Sequence, residues 1–335
     1  MKKINIGFVG MGFIADWHYK AFHNNSNARI IGMTQDVYGD AKKVRQIKER
    51  LEAKCNQWNI RAYEDFESIA ADPEIDALMI GSVTNLHYEQ IRNAIRHGKH
   101  LLVEKPVVTD LNQLDDIEKW VEAGSVKLFP AHNFAYRNAV LKAREILDAG
   151  ELGEIIRSSF NSTHTLSESH VTGWRGSKKI AGGGALIDSG HHQVYQMLYL
   201  MGMPVKLHAF TSKRVQKHID CEDTAQINLQ FGNGSVAVIL QSWATAYGES
   251  SNGIKIIGEK GELVITDALY LNGKVISDEA GYEHSFVNQA SAFCDYLIKD
   301  KPPVSALKDV RNTLKIILGA YQSAAEEKVL TLSDH

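Results

Sequence analysis

The chain has 335 residues, 44% hydrophobic and 23% charged, with six prolines and a formal net charge of −3. That length and composition predict an ordered two-domain globular protein and exclude a disordered or fibrous chain. The near-neutral balance, with no long run of one sign, gives no electrostatic footprint for nucleic acid or an anionic membrane, so a small-molecule partner is expected.

The apolar, β-branched run Ile4–Val9 predicts a buried parallel strand, and residues 16–22 continue as a helix. Between them lies Gly10-x-Gly12-x-x-Ala15. Gly10 permits a tight turn, Gly12 removes the Cβ that would collide with a pyrophosphate, and Ala15 lets helix and strand pack closely. Phosphates would then face the positive N-terminus of the helix. Glycine-rich turns are common in α/β proteins, so the next strand matters. It spans 28–33 and leads to Asp36, roughly twenty residues past the glycines, where a carboxylate binds the ribose 2′-hydroxyl of NAD. Lys42, Lys43 and Arg45 keep NADP open, and Asp36 also suits a surface turn.

Further along, the pattern predicts a helix over 41–53, an acidic segment 64–69, a strand at 77–80 and a helix over 88–96 closed by Gly98. A strand at 101–103, a helix over 111–123 and a strand at 126–130 follow. This alternation predicts a parallel sheet wrapped by helices, a dinucleotide-binding domain over residues 1–130. Residues 131–335 read differently. One helix reaches 149, and strands are expected at 155–162, 205–211, 224–231 and 235–242, with shorter ones near Ile254 and Leu263. Gly232-Asn233-Gly234 is a hairpin signal, and strands joined this way are antiparallel. The second domain is therefore expected to be built on an open, mixed or antiparallel sheet, one face covered by helices and the other meeting solvent or a partner subunit. A terminal helix is expected over 304–327, packing within this domain or back on the first. No internal repeat is visible.

Cys55, Cys221 and Cys294 are odd in number and widely spaced, so neither a disulfide framework nor a thiolate zinc site is expected, only buried thiols. No uninterrupted apolar run reaches the ~18 residues of a membrane span. The start Met-Lys-Lys-Ile-Asn runs straight into the first strand, so a cytoplasmic location is expected.

Glu104-Lys105-Pro106 directly follows the strand at 101–103. Lysines at strand ends are usually solvated, but ligands of open α/β sheets bind beyond the carboxyl ends of the strands, where Lys105 would point. The second constellation runs from Gly182-Gly183-Gly184 through Asp188 to His191 and His192, with a helix expected to continue to Met201. Asp188 and His192 are four apart and would share one helical face, able to address one substrate hydroxyl; surface pairs at this spacing are also common. Histidine is the natural proton acceptor near neutral pH. His132-Asn133 follows the last strand of the first domain, and Trp174-Arg175 precedes the glycines on a loop; a Trp face suits an apolar sugar face and Arg donates to hydroxyls. His164, Glu168 and His170 lack a usual ligand spacing, so no metal is expected.

The glycine turn with His18, His87 ahead of Gly98-Lys99-His100, Glu104-Lys105-Pro106, and Gly-Gly-Gly-Ala-Leu-Ile-Asp-x-Gly-x-His together resemble the Gfo/Idh/MocA oxidoreductase family over nearly the whole chain. The resemblance implies a Rossmann domain followed by an α/β domain with an open, mostly antiparallel sheet that forms the interface of a homodimer or homotetramer. It implies an NAD(P)-dependent dehydrogenase of sugars or inositol-like polyols, with Lys105, Asp188 and His192 as catalytic groups. Implied cofactor contacts are Gly10, Gly12, Phe13, Ile14, Asp36, Thr84, His87, Glu104 and Lys105; implied substrate contacts are His132, Asn133, Trp174, Arg175 and His191. The chain departs from the family pattern at Ser82-Val83-Thr84, where many members have Thr-Pro-Asn, and at Tyr195, where an aspartate often follows the histidine. The implied reaction moves a hydride from a carbinol carbon to nicotinamide while the hydroxyl proton passes to His192 and Lys105 stabilises the alkoxide. An NADP-linked keto-sugar reductase is the same chemistry reversed. A non-catalytic nucleotide-binding sensor would have no need of that trio.

Overall fold

In a computed structural model of the chain, residues 3–245, 250–278 and 281–332 are described. The chain forms two compact units: Met1–Asn133 with Glu283–Leu307, and Phe134–Tyr282 with Lys308–His335.

In the first unit β1 (Ile4–Val9), β2 (Ala28–Thr34), β3 (Arg61–Ala62), β4 (Ala77–Ile80), β5 (His100–Glu104) and β6 (Leu128–Ala131) form a sheet in the order β3-β2-β1-β4-β5-β6. Every pair is parallel. Burial on both faces explains why these strands read as continuous apolar runs: β4 and most of β5 are wholly buried. The order reverses between β1 and β4, so a crevice opens beyond their carboxyl ends, where such sheets bind ligands. Helices Phe13–His23, Ala41–Trp58, Phe66–Ala71, Thr84–Arg96 and Leu111–Ala123 connect the strands.

Several boundaries move outward from the sequence expectation. The second helix runs to Trp58 because Ile47, Leu51, Cys55 and Trp58 extend its buried stripe, and it stops at Asn59 in a left-handed conformation. The acidic segment 64–69 contains a short helix instead, started by a reciprocal capping box between Asp65 and Ser68. The helix Tyr282–Lys299 was not expected; its buried face of Phe286, Gln289, Ala290, Phe293 and Cys294 follows helical spacing. Phe293 packs edge-on to Phe22 and Phe129, at 6.0 and 5.6 Å between ring centroids.

The second unit is built on β7 (Ile155–Thr163), β8 (Lys206–Ser212), β9 (Thr224–Gln230), β10 (Val236–Ser242), β11 (Gly253–Gly258), β12 (Gly261–Ile265), β13 (Ala268–Leu271), β14 (Lys274–Asp278) and β15 (Leu330–Thr331). Their order is β14-β13-β12-β11-β7-β10-β9-β8-β15. β7 and β10 are parallel and the other pairs antiparallel, so the mixed, mostly antiparallel sheet is as expected. Strand β9 shows the alternation that specifies it: Ala225, Ile227 and Leu229 are buried, while Gln226, Asn228 and Gln230 are exposed. The inner face meets helices Asn138–Asp148, Gly190–Met201 and Leu307–Glu326 through a core that includes Val140, Val194, Met197, Ile227, Ile239, Ile256 and Ile316. The Gly232-Asn233-Gly234 turn joins β9 to β10 as its sequence requires. Strands β13, β14 and β15 went unread because β13 and β15 are short and β14 is mostly exposed.

One expectation needs correction. The helix entering from the triple glycine does not run unbroken to Met201: it is Ala185–Asp188, then Gly190–Met201, divided at Ser189. There the bonding tightens, with the His192 N–H reaching the Ser189 carbonyl at 3.2 Å, while the Ser189 hydroxyl accepts the Trp243 indole N–H at 2.8 Å. Asp188 thus ends one helix and His192 sits in the first turn of the next.

All three cysteines are buried free thiols, and burial pushes their pKa values up to about 11 for Cys55 and about 12 for Cys221 and Cys294. Among the described residues no group of side chains is arranged to hold a metal ion, and no helix is long and apolar enough to cross a membrane.

Candidate active site

In the first unit the turn after β1 is shaped by glycine. Gly10 has φ 102°, and a Cβ there would fall 2.6 Å from the Gly81 carbonyl oxygen, so only glycine fits. Gly12 caps the Phe13–His23 helix without a side-chain hydrogen bond, and a Cβ on it would meet nothing within 4 Å. An uncapped helix start bordered by open space suits a pyrophosphate held by the N–H groups of the first turn, at Phe13 and Ile14. The residues present therefore fit a dinucleotide.

Asp36 follows β2 and is partly buried. Gln90 donates Nε2–H to Asp36 Oδ2 at 3.0 Å and accepts the Ser82 hydroxyl on Oε1 at 2.6 Å. Burial raises the Asp36 pKa, and the Gln90 hydrogen bond opposes that rise. Gln35 frames the same corner, accepting the Met11 N–H at 2.9 Å and donating to the Asp36 carbonyl at 3.1 Å. Thr84 opens the Thr84–Arg96 helix and is buried, as is His87 one turn on. His87 Nδ1 lies 3.0 Å from the Pro106 carbonyl oxygen and Nε2 3.2 Å from that of Ser82. Burial lowers the His87 pKa while the contacts to the two carbonyl oxygens oppose that fall, and the effect of the ring on a cofactor would pass through the loops that carry them.

Lys105 follows β5 and precedes Pro106 across a cis bond. Glu104 Oε1 lies 2.7 Å from Nε2 of buried His18, and Oε2 accepts the Lys105 backbone N–H at 3.2 Å. His132 is fully buried with Nδ1 2.7 Å from the Ser305 hydroxyl. Burial first, and then the Lys105 cation, push its pKa down to about 3. Asn133 donates to the Ser285 hydroxyl at 3.0 Å. Asn133 is thus held from within the helix Tyr282–Lys299, which the sequence pattern did not predict, and His132 by a residue just beyond it.

In the second unit two of the three glycines have a steric cause. A Cβ on Gly183 would fall 2.2 Å from the Tyr321 hydroxyl, and one on Gly184 2.0 Å from the Glu222 carbonyl oxygen. The half-buried Glu222 carboxylate accepts the N–H groups of Gly184 and Leu186 at 3.0 and 2.9 Å and the Tyr321 O–H at 2.8 Å. Burial raises its pKa against these bonds. An anion thereby caps the short helix that ends in Asp188.

Asp188 Oδ2 lies 3.4 Å from Arg175 Nε, and the Arg175 guanidinium sits 4.5 Å from the Trp174 ring centroid. The structure therefore brings Trp174, Arg175 and Asp188 together. His192 stacks on Phe134 at 4.4 Å, and its Nδ1 lies 2.7 Å from the Tyr195 hydroxyl, which accepts the Phe134 N–H at 3.0 Å. His191 is buried and meets the Tyr195 ring edge-on at 6.1 Å, a packed position rather than an open one. Sequence reasoning missed Gln90, Phe134, Glu222 and Tyr321. Only Gln90 carried a signal, as a polar residue within the buried stripe of His87, Ile91 and Ala94.

Two family models match the chain: an oxidoreductase family, NAD-binding Rossmann fold, over residues 4–132, and the GFO/IDH/MocA C-terminal domain over residues 140–264. Myo-inositol 2-dehydrogenase of Thermotoga maritima is 25% identical over 350 aligned positions covering 99% of each chain. The scyllo-inositol 2-dehydrogenase (NADP(+)) of Bacillus subtilis is 27% identical over 71% of this chain and 62% of that protein. Among solved structures, levoglucosan dehydrogenase in complex with NADH and levoglucosan shares the fold at a TM-score of 0.87, with 20% identity and coverage of 99% and 100%. The WlbA dehydrogenase of Bordetella pertussis, in complex with NADH and UDP-GlcNAcA, does so at 0.85, with 21% identity over the full length of both chains. With family models matching residues 4–132 and 140–264, this chain belongs to the Gfo/Idh/MocA oxidoreductase family, with an NAD-binding Rossmann domain at its start.

Proposed function

We propose that the protein oxidises a secondary hydroxyl of a sugar or inositol-like polyol, with the first unit holding NAD and the second the substrate. The observation that carries this reading is the anchored His192: its Nδ1 faces the Tyr195 hydroxyl at 2.7 Å, so Nε2 is the nitrogen that takes the substrate proton. NAD, when bound, supplies the hydride acceptor. Lys105, at the carboxyl end of β5, stabilises the charge that develops on the substrate oxygen, an interaction strongest in the transition state. Asp188 accepts hydrogen bonds from a neighbouring substrate hydroxyl, and Arg175 keeps a cation beside it at 3.4 Å. Trp174 offers a flat apolar surface for the C–H face of a ring. Asp36 accepts from the ribose 2′-hydroxyl and favours NAD over NADP.

Inositols lead the substrate series because the two inositol dehydrogenases among the relatives align over most of this chain. The test is reduced-cofactor formation from NAD and NADP across a panel of inositols, aldoses and sugar acids. Turnover of at least one cyclic polyol with NAD is expected; clear nucleotide binding with a silent panel refutes the dehydrogenase in favour of a sensor.

Self-association through the outer face of the second sheet is the matching proposal for assembly. There Phe210, Gln226, Leu240 and Asn161 lie in register across β8, β9, β10 and β7, and Phe210 is 61% exposed. Light scattering is expected to give a dimer or tetramer, and Phe210→Glu a smaller species; a monomer at all concentrations refutes it.

A further inference from the structure

We propose that Gln90 is the positioning residue that sets cofactor selectivity, by orienting the Asp36 carboxylate for a free ribose 2′-hydroxyl. This deepens the reading of Asp36 as the ribose ligand and rests on it.

Gln90 is an anomaly in the pattern of its helix. Gln90 lies in the Thr84–Arg96 helix on the stripe formed by His87, Ile91 and Ala94, and it is only 5% exposed. A buried amide there is costly unless both its ends are bonded. Both are. An ionised carboxylate only accepts, so the end facing Asp36 must be Nε2–H, at 3.0 Å from Oδ2. Oε1 then faces Ser82, whose hydroxyl donates at 2.6 Å. The chain Ser82 to Gln90 to Asp36 therefore runs in one direction and cannot reverse while Asp36 is charged.

Two consequences follow for a ribose at this corner. Oδ2 is engaged by an internal donor, which fixes the plane of the carboxylate and directs Oδ1 at the incoming hydroxyl. The Gln90 bond also favours the charged form of the carboxylate, opposing the burial that raises its pKa. A fixed negative oxygen accepts from a 2′-hydroxyl and repels a 2′-phosphate, so one contact supplies attraction and discrimination together. Ser82 carries the frame further: its carbonyl oxygen lies 3.2 Å from His87 Nε2, and His87 Nδ1 lies 3.0 Å from the carbonyl of Pro106, beside Lys105.

The experiment measures NADH and NADPH binding by fluorescence or calorimetry, with no substrate present, for the wild type, Asp36→Ala, Gln90→Met and the double variant. Met keeps the length and bulk of Gln without its donor. A hydrogen bond to a charged group is strong enough that Gln90→Met is expected to weaken NADH binding about tenfold while NADPH changes less than about twofold. In the Asp36→Ala background the same substitution is expected to change neither, because its effect passes through the carboxylate. Ser82→Ala frees the amide to rotate and is expected to move selectivity the same way by about threefold. Equal losses for both cofactors on Gln90→Met, or additive losses in the double variant, overturn the proposal and make Gln90 a packing residue. If Gln90→Met does not fold, no selectivity change in Ser82→Ala overturns it. Equal weakening of NADH and NADPH by Asp36→Ala would instead defeat the ribose reading itself, so the two failures are distinguishable.

Discussion

Replacing Tyr195 by phenylalanine removes one oxygen that serves two nitrogens: the Phe134 N–H donates to it at 3.0 Å, and His192 Nδ1 lies 2.7 Å from it. Tyr195 is 3% exposed, so water does not readily replace the lost hydroxyl. Depriving a buried donor of its acceptor costs about 1–3 kcal/mol. For a folding unit of this size each kcal/mol moves the melting temperature by roughly 2–4 °C, so a fall of about 2–12 °C is expected by scanning calorimetry of the apo protein. Activity should suffer more than stability explains. Without the hydroxyl the imidazole no longer has its ring orientation fixed on that side, and kcat is expected to fall about tenfold with the KM for NAD unchanged. A buried phenol is an uncharged partner, whereas an aspartate there would favour the imidazolium. Tyr195→Asp is therefore expected to shift the acidic limb of the kcat/KM profile to higher pH. An unchanged melting temperature in Tyr195→Phe, with kcat within about twofold and the same pH profile in both variants, would refute the reasoning.

Glu222→Gln leaves a single acceptor oxygen for three donors, Gly184 N–H, Leu186 N–H and the Tyr321 hydroxyl, so a loss of about 1–3 kcal/mol is expected in chemical denaturation; a loss under about 0.5 kcal/mol would contradict the capping role. His132 makes stability depend on acid. Its folded pKa, about 3, lies below the ordinary value, so between roughly pH 6.5 and 3 the unfolded chain binds the extra proton and stability falls as pH falls. The expected slope is at most about 1.4 kcal/mol per pH unit from this group, and His132→Gln should flatten it; an identical acid limb in the variant would remove His132 as the cause. Buried His87, with its pKa also lowered, acts in the same direction.

The parallel sheet was legible because its strands are buried on both faces and its helices carry clear stripes, so β4 and the Leu111–Ala123 helix begin and end where the pattern predicts. The helix Tyr282–Lys299 escaped because it follows strands of another unit, and its aromatic face serves residues more than a hundred positions earlier, such as Phe22 and Phe129. Residue types at Lys105, Asp188 and His192 could be read from motifs. Their supports were less legible: Gln90 and Glu222 act through hydrogen bonds to partners tens of residues away, and Tyr195, three residues past His192, stood out only as a departure from the family pattern. The break at Ser189 was equally hidden: its dihedrals, φ −78° and ψ −39°, stay helical, and what interrupts the ladder is a tightened bond, not a residue that breaks helices.

In the proposed reaction an ammonium group on Lys105 and an imidazole on His192 carry the chemistry on a bound polyol. The most direct measurement is turnover of the best inositol or sugar by Lys105→Met and His192→Ala beside NADH affinity for the same proteins. A fall in kcat of at least about a hundredfold is expected in each, with NADH affinity within about threefold of the wild type. Substantial turnover in both variants would contradict it.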